Sequence, residues 1–270
     1  MRGNRVTGQP ADALINRVAD RLHEAHRTGV AVPPVRDEFP DADVASAYAV
    51  QRRNTERWVA EGRRRVGYKI GLTSAAVQRQ LGVSEPDFGT LFADMAFADG
   101  AELDPGSFIA PRAEAEVALV LDRDLDLGRH TVADVIRATA FALPALEIVD
   151  SRIAGWDIAL VDTVADNGSS GAFVLGTVPV PLTAVDLRSC AMTLTRHGET
   201  VSEGKGTDCL GHPLTAAVWL ADTLGALGTP LRAGDIVLTG ALGPMTGLDP
   251  LQSLTAHITG LGRVSVRTGK

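Results

Sequence analysis

The stretch Pro111-Arg112-Ala113-Glu114-Ala115-Glu116-Val117-Ala118-Leu119-Val120-Leu121 constrains this chain more than any other. Val117 to Leu121 is a short apolar run rich in strand-favouring residues, so the segment is expected as a β-strand. Side chains alternate along a strand. Glu114, Glu116, Ala118 and Val120 therefore share one face, and Ala115, Val117, Leu119 and Leu121 share the other. The second set suits a core. The first aims two carboxylates the same way, roughly 7 Å apart at the backbone. Unpaired beside a buried run, they repel each other and resist desolvation. Two readings stand at this point: a divalent cation joins them, or the strand end is exposed and both acids are solvated.

A third carboxylate bears on the choice. Pro144-Ala145-Leu146-Glu147-Ile148-Val149-Asp150 is another short apolar strand, with Glu147 inside it. Glu is seldom fully buried without a partner. If this strand lies beside the first, Glu147 joins Glu114 and Glu116. Three carboxylates with no nearby Cys or His pair suit a hard ion such as Mg²⁺ or Mn²⁺.

The 270 residues, 45% of them hydrophobic, suffice for one substantial core, or for a small helical domain beside a larger one. A formal net charge of -7 leaves no dominant basic surface, which speaks against nucleic-acid binding. Arg52, Arg53, Arg57, Arg63, Arg64 and Arg65 cluster, but Glu56, Glu61 and apolar residues interrupt them, as on a solvated helix face. Cys190 and Cys209 do not make a disulfide framework and are expected as thiols. No apolar run approaches the ~18 residues of a membrane span, and the N-terminus has no signal-peptide pattern. A soluble cytoplasmic protein is the expectation.

The spacing of apolar residues predicts helices over about 11–28 and 42–61, stopped by Gly29 and Gly62 and joined by a proline-rich linker over 30–40. Met1 to Pro10 is expected to fray. Residues 1–65 are read as an N-terminal helical region and 66–270 as a β-rich domain. Strands are expected at 66–72, 111–121, 144–150, 172–175, 191–196 and 235–239, with a closing hairpin of 256–259 and 263–267. Thr73 or Ser74 caps a short helix closed by Gly82. Thr131-Val132-Ala133-Asp134 is a capping box for a helix to about Leu143, and Pro213 opens another to about Leu227. Pro86-Asp87-Phe88-Gly89 reads as a turn, Leu91 to Phe97 as extended, Asp162 to Gly171 as a polar loop and Gly240 to Gly247 as a glycine-rich one. Strands dominate after residue 66 without regular strand–helix alternation. The expected fold is α+β, with a mixed, curved sheet folded on itself.

Lys69 lies between glycines in Gly67-Tyr68-Lys69-Ile70-Gly71, where a ligand could approach closely. It would bind a carboxylate or move a proton, or it is a surface residue of an edge strand. Asp87 is a general base or merely closes its turn. Ser169 and Ser170 lack the glycines of a nucleophile elbow, which rejects a serine hydrolase but leaves substrate binding open. No His-x-x-x-His pair occurs; His23 and His26, three apart on the first helix, read as surface residues, and His212 before Pro213 reads as structural. No phosphate-binding glycine motif suggests a nucleotide cofactor.

Several runs occur in an order that is similar to a known family. They are Lys69-Ile70-Gly71-Leu72-Thr73, Pro86-Asp87-Phe88-Gly89-Thr90-Leu91, Arg112-Ala113-Glu114-Ala115-Glu116 and Pro144-Ala145-Leu146-Glu147. Asp162-Thr163-Val164-Ala165-Asp166-Asn167 and Leu238-Thr239-Gly240-Ala241-Leu242-Gly243-Pro244 complete the set. The chain resembles the 2-keto-4-pentenoate hydratases of the fumarylacetoacetate hydrolase superfamily, from about residue 11 to its end. That resemblance implies a divalent metal, Mg²⁺ or Mn²⁺, on Glu114, Glu116 and Glu147, with Lys69, Asp87 and Ser169 lining the active site. It implies hydration of 2-hydroxypenta-2,4-dienoate to 4-hydroxy-2-oxopentanoate in the meta-cleavage breakdown of aromatic compounds. It also implies a homo-oligomer, pentamer or decamer. Gly168 stands where the family loop usually has Ala, which loosens the backbone beside Ser169. Two alternatives remain: a 2-oxo-3-hexenedioate (4-oxalocrotonate) decarboxylase, and a non-catalytic scaffold for the pathway aldolase.

Overall fold

The computed structural model describes residues 9–39, 43–74, 78 and 85–270. Two helices come first, α1 (Gln9–Thr28) and α2 (Val44–Ala60). Strands β1 (Arg65–Gly71), β2 (Asp87–Phe92), β3 (Ala96–Phe97), β4 (Glu102–Leu103) and β5 (Arg112–Leu121) follow. Then come α3 (Val132–Ala138), β6 (Thr139–Val149), α4 (Leu160–Ala165), β7 (Ser170–Leu175), β8 (Ala191–Arg196) and β9 (Glu199–Lys205). Helix α5 (Pro213–Ala226) precedes β10 (Ile236–Ala241), β11 (Thr246–Gly247), β12 (Ser253–Ile258) and β13 (Gly262–Thr268).

The strands make two sheets. The larger runs β2-β1-β10-β5-β6-β7-β3, with β11 added against β5, and the smaller runs β4-β13-β12-β8-β9. Pairs β1–β10, β3–β7 and β4–β13 are parallel, and the others are antiparallel. The fold is therefore α+β on a mixed sheet, as expected. Register shifts within β5, β6 and β10 add local twist and bend the large sheet. One core fills the space between the sheets. Val117, Leu119, Leu146 and Ile148 meet Leu194, Leu254, Val264 and Val266 there, and α5 adds Leu220 and Leu224. By alternation, the other face of the large sheet carries Lys69, Glu114, Glu116 and Glu147. Helices α1 and α2 pack on α4 through Val18, Leu22, Ala47, Val50, Val161 and Val164.

Several local expectations hold. Thr131 and Asp134 cap each other's backbone N–H at the start of α3. His212 Nδ1 accepts from Leu214 N at 3.0 Å and caps α5, with Pro213 in the first turn. Cys190 and Cys209 are buried free thiols. No helix among the described residues is long and apolar enough to cross a membrane.

Others are corrected. The residues 86–89 are not a turn: Asp87 begins β2, which is buried along its whole length and pairs with β1. Helix α3 ends at Ala138, not Leu143, because Thr139 to Leu143 pair with β5. Tertiary pairing overrides local preference there. Residues 162–171 are not a polar loop on the surface. They form most of α4, a tight turn and the start of β7, all enclosed but for half-buried Gly171. The 30–40 linker is packed at Val35 and Phe39. The extended run 91–97 is broken by a helical turn at Ala93–Met95. The short helix expected to close at Gly82 and the fraying expected before Pro10 lie outside the described residues, save Ser74, Gln78 and the backbone from Gln9.

Candidate active site

Strands β5 and β6 pair with Glu114 directly opposite Glu147. Glu116, two residues further along β5, shares the face of Glu114. One oxygen from each of the three carboxylates lies within 4.8 Å of the others. Glu116 and Glu147 are buried, and Glu114 is half-buried. Glu116 Oε2 accepts from the Gly240 N–H at 2.8 Å. Glu116 Oε1 and Glu147 Oε2 have no hydrogen-bond partner among the described residues, and Glu147 Oε1 has only the Lys69 ammonium, at 3.4 Å. A buried charge left without partners is strongly unfavourable. Burial, followed by the charge of Glu147, raises the Glu114 carboxyl to about 7 and the Glu116 carboxyl well above its ordinary value. Burial also raises Glu147, against the pull of Lys69. An all-oxygen set of this kind fits a hard divalent cation.

Lys69 sits on β1, between Gly89 of β2 and Leu238 of β10. It is no surface residue: it is 3% exposed, and Nζ lies 3.4 Å from Glu147 Oε1. Burial alone would discharge it. Glu147, Asp87, Glu114 and Glu116 outweigh that and hold its pKa above the usual lysine value. Asp87 is also buried. Its Oδ2 accepts from the Thr163 hydroxyl at 3.2 Å, and its Oδ1 has no partner among the described residues. Both side chains face Gly71, which leaves them room. A Cβ there would stand 2.1 Å from Asp87 Oδ1 and 3.2 Å from Lys69 Nζ.

The turn before β7 closes the site. Asn167 has φ 57° and Ser169 φ 54°, a left-handed conformation that Asn adopts more readily than Ser. The Asn167 amide holds both backbone groups of Thr90, at 2.7 and 2.9 Å. A Cβ on Gly168 would lie 3.1 Å from Lys69 Cε, so this turn rests on the lysine. The Ser169 hydroxyl is buried 3.4 Å from Asp166 Oδ2. Asp166 in turn accepts from Arg152 Nε at 2.6 Å, and Arg152 also reaches the carbonyls of Asp166 and Ser170.

This geometry has known counterparts. Residues 68–268 match the family model for the C-terminal part of fumarylacetoacetate hydrolase. The chain belongs to the fumarylacetoacetate hydrolase family. A 2-keto-4-pentenoate hydratase of Dechloromonas aromatica is 59% identical over 244 residues, 90% of this chain and 93% of that one. Another, of Paraburkholderia phymatum, is 56% identical over 253 residues, 94% of this chain and 97% of that one. The solved 4-oxalocrotonate decarboxylase of Pseudomonas putida G7, complexed with magnesium and adipate, has a TM-score of 0.90 at 32% identity. It covers 98% of this chain and 100% of that one. Within the fumarylacetoacetate hydrolase family this chain groups with the 2-keto-4-pentenoate hydratases, which are hydro-lyases.

Both helices α1 and α2 precede the span matched to that family. Helix α2 still reaches the site. Gln51 Nε2 donates to Phe88 O at 2.8 Å and Val164 O at 3.0 Å, tying α2 to β2 and α4. Sequence reasoning passed over Gln51, Thr163, Asn167 and the Arg152–Asp166 pair. Gln51 had one signal: a polar residue on the otherwise apolar stripe of Val44 and Ala47. Thr163, Asp166 and Asn167 lie in a run that carries the family resemblance, but nothing local marks their partners; Arg152 had no signal, because its partners lie on other elements.

Proposed function

We propose that this chain is a metal-dependent hydratase that converts 2-hydroxypenta-2,4-dienoate (2-keto-4-pentenoate) to 4-hydroxy-2-oxopentanoate in the breakdown of aromatic compounds by meta-cleavage. The observation that carries this is the buried set of unpartnered carboxylate oxygens facing a buried, charged lysine. Glu114, Glu116 and Glu147 would hold the ion, Mg²⁺ or Mn²⁺. Bound there, it would neutralise carboxylate charge and stabilise negative charge on the substrate's 2-oxygen.

Lys69 and Asp87 do the proton work. The dienol must ketonise: its 2-hydroxyl loses a proton to solvent, C5 gains one, and a conjugated enone remains. Water then adds at C4 while C3 gains a proton. Lys69 is cationic and donates to carbon, and Asp87, with Oδ1 free, takes the proton from water. Asp87 then returns its proton to solvent, and Lys69 regains its own from solvent before it donates to C3. Each such transfer contributes typically about 10²–10⁴ in rate. Ser169 supplies a hydroxyl to the pocket wall.

The test is incubation of the pure protein with 2-hydroxypenta-2,4-dienoate, with Mg²⁺ or with a chelator, and identification of the product. Metal-dependent 4-hydroxy-2-oxopentanoate supports the hydratase. Release of CO₂ from 2-oxo-3-hexenedioate instead supports the decarboxylase, the activity named for the similar solved structure. No turnover of either, with metal bound, leaves the scaffold for the pathway aldolase. The same proposal includes a cytoplasmic homo-oligomer, pentamer or decamer. It also includes a division into helical residues 1–65, which brace the site, and β-rich residues 66–270, which carry the reacting groups.

A further inference from the structure

We propose that Arg112 recognises the substrate's carboxylate, an assignment that rests on the function proposed above. Arg112 begins β5, two residues before Glu114, so its side chain starts on the face of Glu114 and Glu116. Exposure falls along that face. Arg112 and Glu114 are half-buried, and Glu116 is sealed. The carboxylate cluster therefore opens at the Arg112 end, and a ligand entering there passes the guanidinium.

That guanidinium is held in place. Its Cζ lies 4.3 Å from the ring centroid of Trp156. Trp156 Nε1 donates to Ala110 O at 2.9 Å, on the segment that leads into β5. Arg112 Nη1 lies 3.6 Å from the sulfur of Met245, a weak acceptor. Among the described residues Arg112 has no carboxylate partner, whereas Arg36, Arg57, Arg152 and Arg232 each have one. An arginine fixed beside acidic groups yet paired with none of them presents its donor fork to an anion from outside.

Charge leads to the same ligand. With a divalent ion bound and Glu114, Glu116, Glu147 and Asp87 ionised, Lys69 and the ion leave the site one charge negative. Such a site repels a carboxylate at close range. Arg112 restores neutrality at the side from which the substrate enters. The ligand class is a 2-oxo or 2-hydroxy monocarboxylate.

Calorimetric titration tests this with two ligands, pyruvate and its neutral amide, pyruvamide. Both are titrated into Mg²⁺-loaded wild type, Arg112→Met and Arg112→Lys. Methionine keeps length and the contact with Trp156 but removes the charge. Pyruvate binding should weaken by about tenfold or more in the Met variant and recover in part in the Lys variant. Pyruvamide should bind all three proteins alike. With the dienoate substrate, KM should rise more than kcat falls. Equal losses for pyruvate and pyruvamide, or unchanged pyruvate affinity, would overturn the assignment. Weaker Mg²⁺ binding by the Met variant in the absence of pyruvate would overturn it too, because Arg112 would then shape the metal site. Should wild type bind no pyruvate in the presence of Mg²⁺, the proposed function fails first and the role of Arg112 falls with it. Pyruvate binding that the Met variant retains sinks Arg112 alone.

Discussion

Glu116 is more enclosed than Glu114 and already holds the Gly240 N–H, so its replacement isolates the charge of the cluster. Glu116→Gln keeps the size and an oxygen for that N–H. The expected outcome is a folded protein whose Mg²⁺ affinity falls by roughly tenfold or more, since ligand charge sets affinity for such ions. Unchanged affinity in a titration would remove Glu116 from the metal site. Lys69 and Asp87 are separated by where they act. Lys69→Ala and Asp87→Asn should each lower kcat by about 10²–10⁴, with KM changed far less. In D₂O, label at C5 reports ketonisation and label at C3 reports hydration. Lys69→Ala should lose the C5 label. Asp87→Asn should keep it and fail to hydrate. Small, equal losses at both carbons would reduce the two residues to pocket lining.

Strands β5 and β6 are legible in the sequence because alternation is a local property. Glu114, Glu116 and Glu147 each interrupt an apolar run at the right parity, and pairing of the two strands then brings them together. Asp87 is not legible in this way. Its neighbours have turn composition, and only β1, whose Gly71 lies opposite it, makes the segment a strand. The enclosed 162–169 segment misleads for a similar reason. Asp162 looks solvated but accepts from the backbone of Val35 and Arg36, 127 and 126 residues distant in sequence. Helix α2 is predictable as a helix, but its grip on β2 is not. Gln51→Leu would leave Phe88 O and Val164 O unpaired, at a cost of about 1–3 kcal/mol in urea unfolding. It should also lower kcat, because β2 carries Asp87. Asn54→Leu is the control: Asn54 donates to Ala19 O in α1, so it should destabilise and leave kcat intact. Equal kcat in both variants would mean that α2 supports the fold and not the site.

The raised carboxyls tie the stability of the whole molecule to pH. Glu114 titrates near 7 in the folded protein against an ordinary value of 4.5, and burial is the first cause. At Glu114, Glu116 and Glu147 the folded state therefore binds more protons than the unfolded state over this range; these three outnumber His26, which acts in the opposite sense because burial lowers its pKa to about 4. Metal-free protein should lose stability as pH rises from about 4.5 through about 7. Metal binding needs the same groups deprotonated, so the stabilisation by Mg²⁺ should grow over that interval. Melting temperatures across this range, with and without Mg²⁺, check both slopes. A metal-free protein that instead gains stability as pH rises would mean that other groups dominate.

Gly71 and Gly89 carry no reactive group, and neither has a backbone angle that demands glycine. Each is fixed by what faces it: Asp87 and Lys69 at the first, the Asn167 carbonyl and the Ser170 hydroxyl at the second. The smallest substitution, to alanine, therefore intrudes on the reacting groups at Gly71 and on the turn that rests on Lys69 at Gly89. In a library in which every position is varied and survivors are selected for growth on the substrate, both codons should be as intolerant as that of Lys69. Gly225 and Gly247, whose Cβ positions meet nothing within 4 Å and whose backbone is not left-handed, should drift.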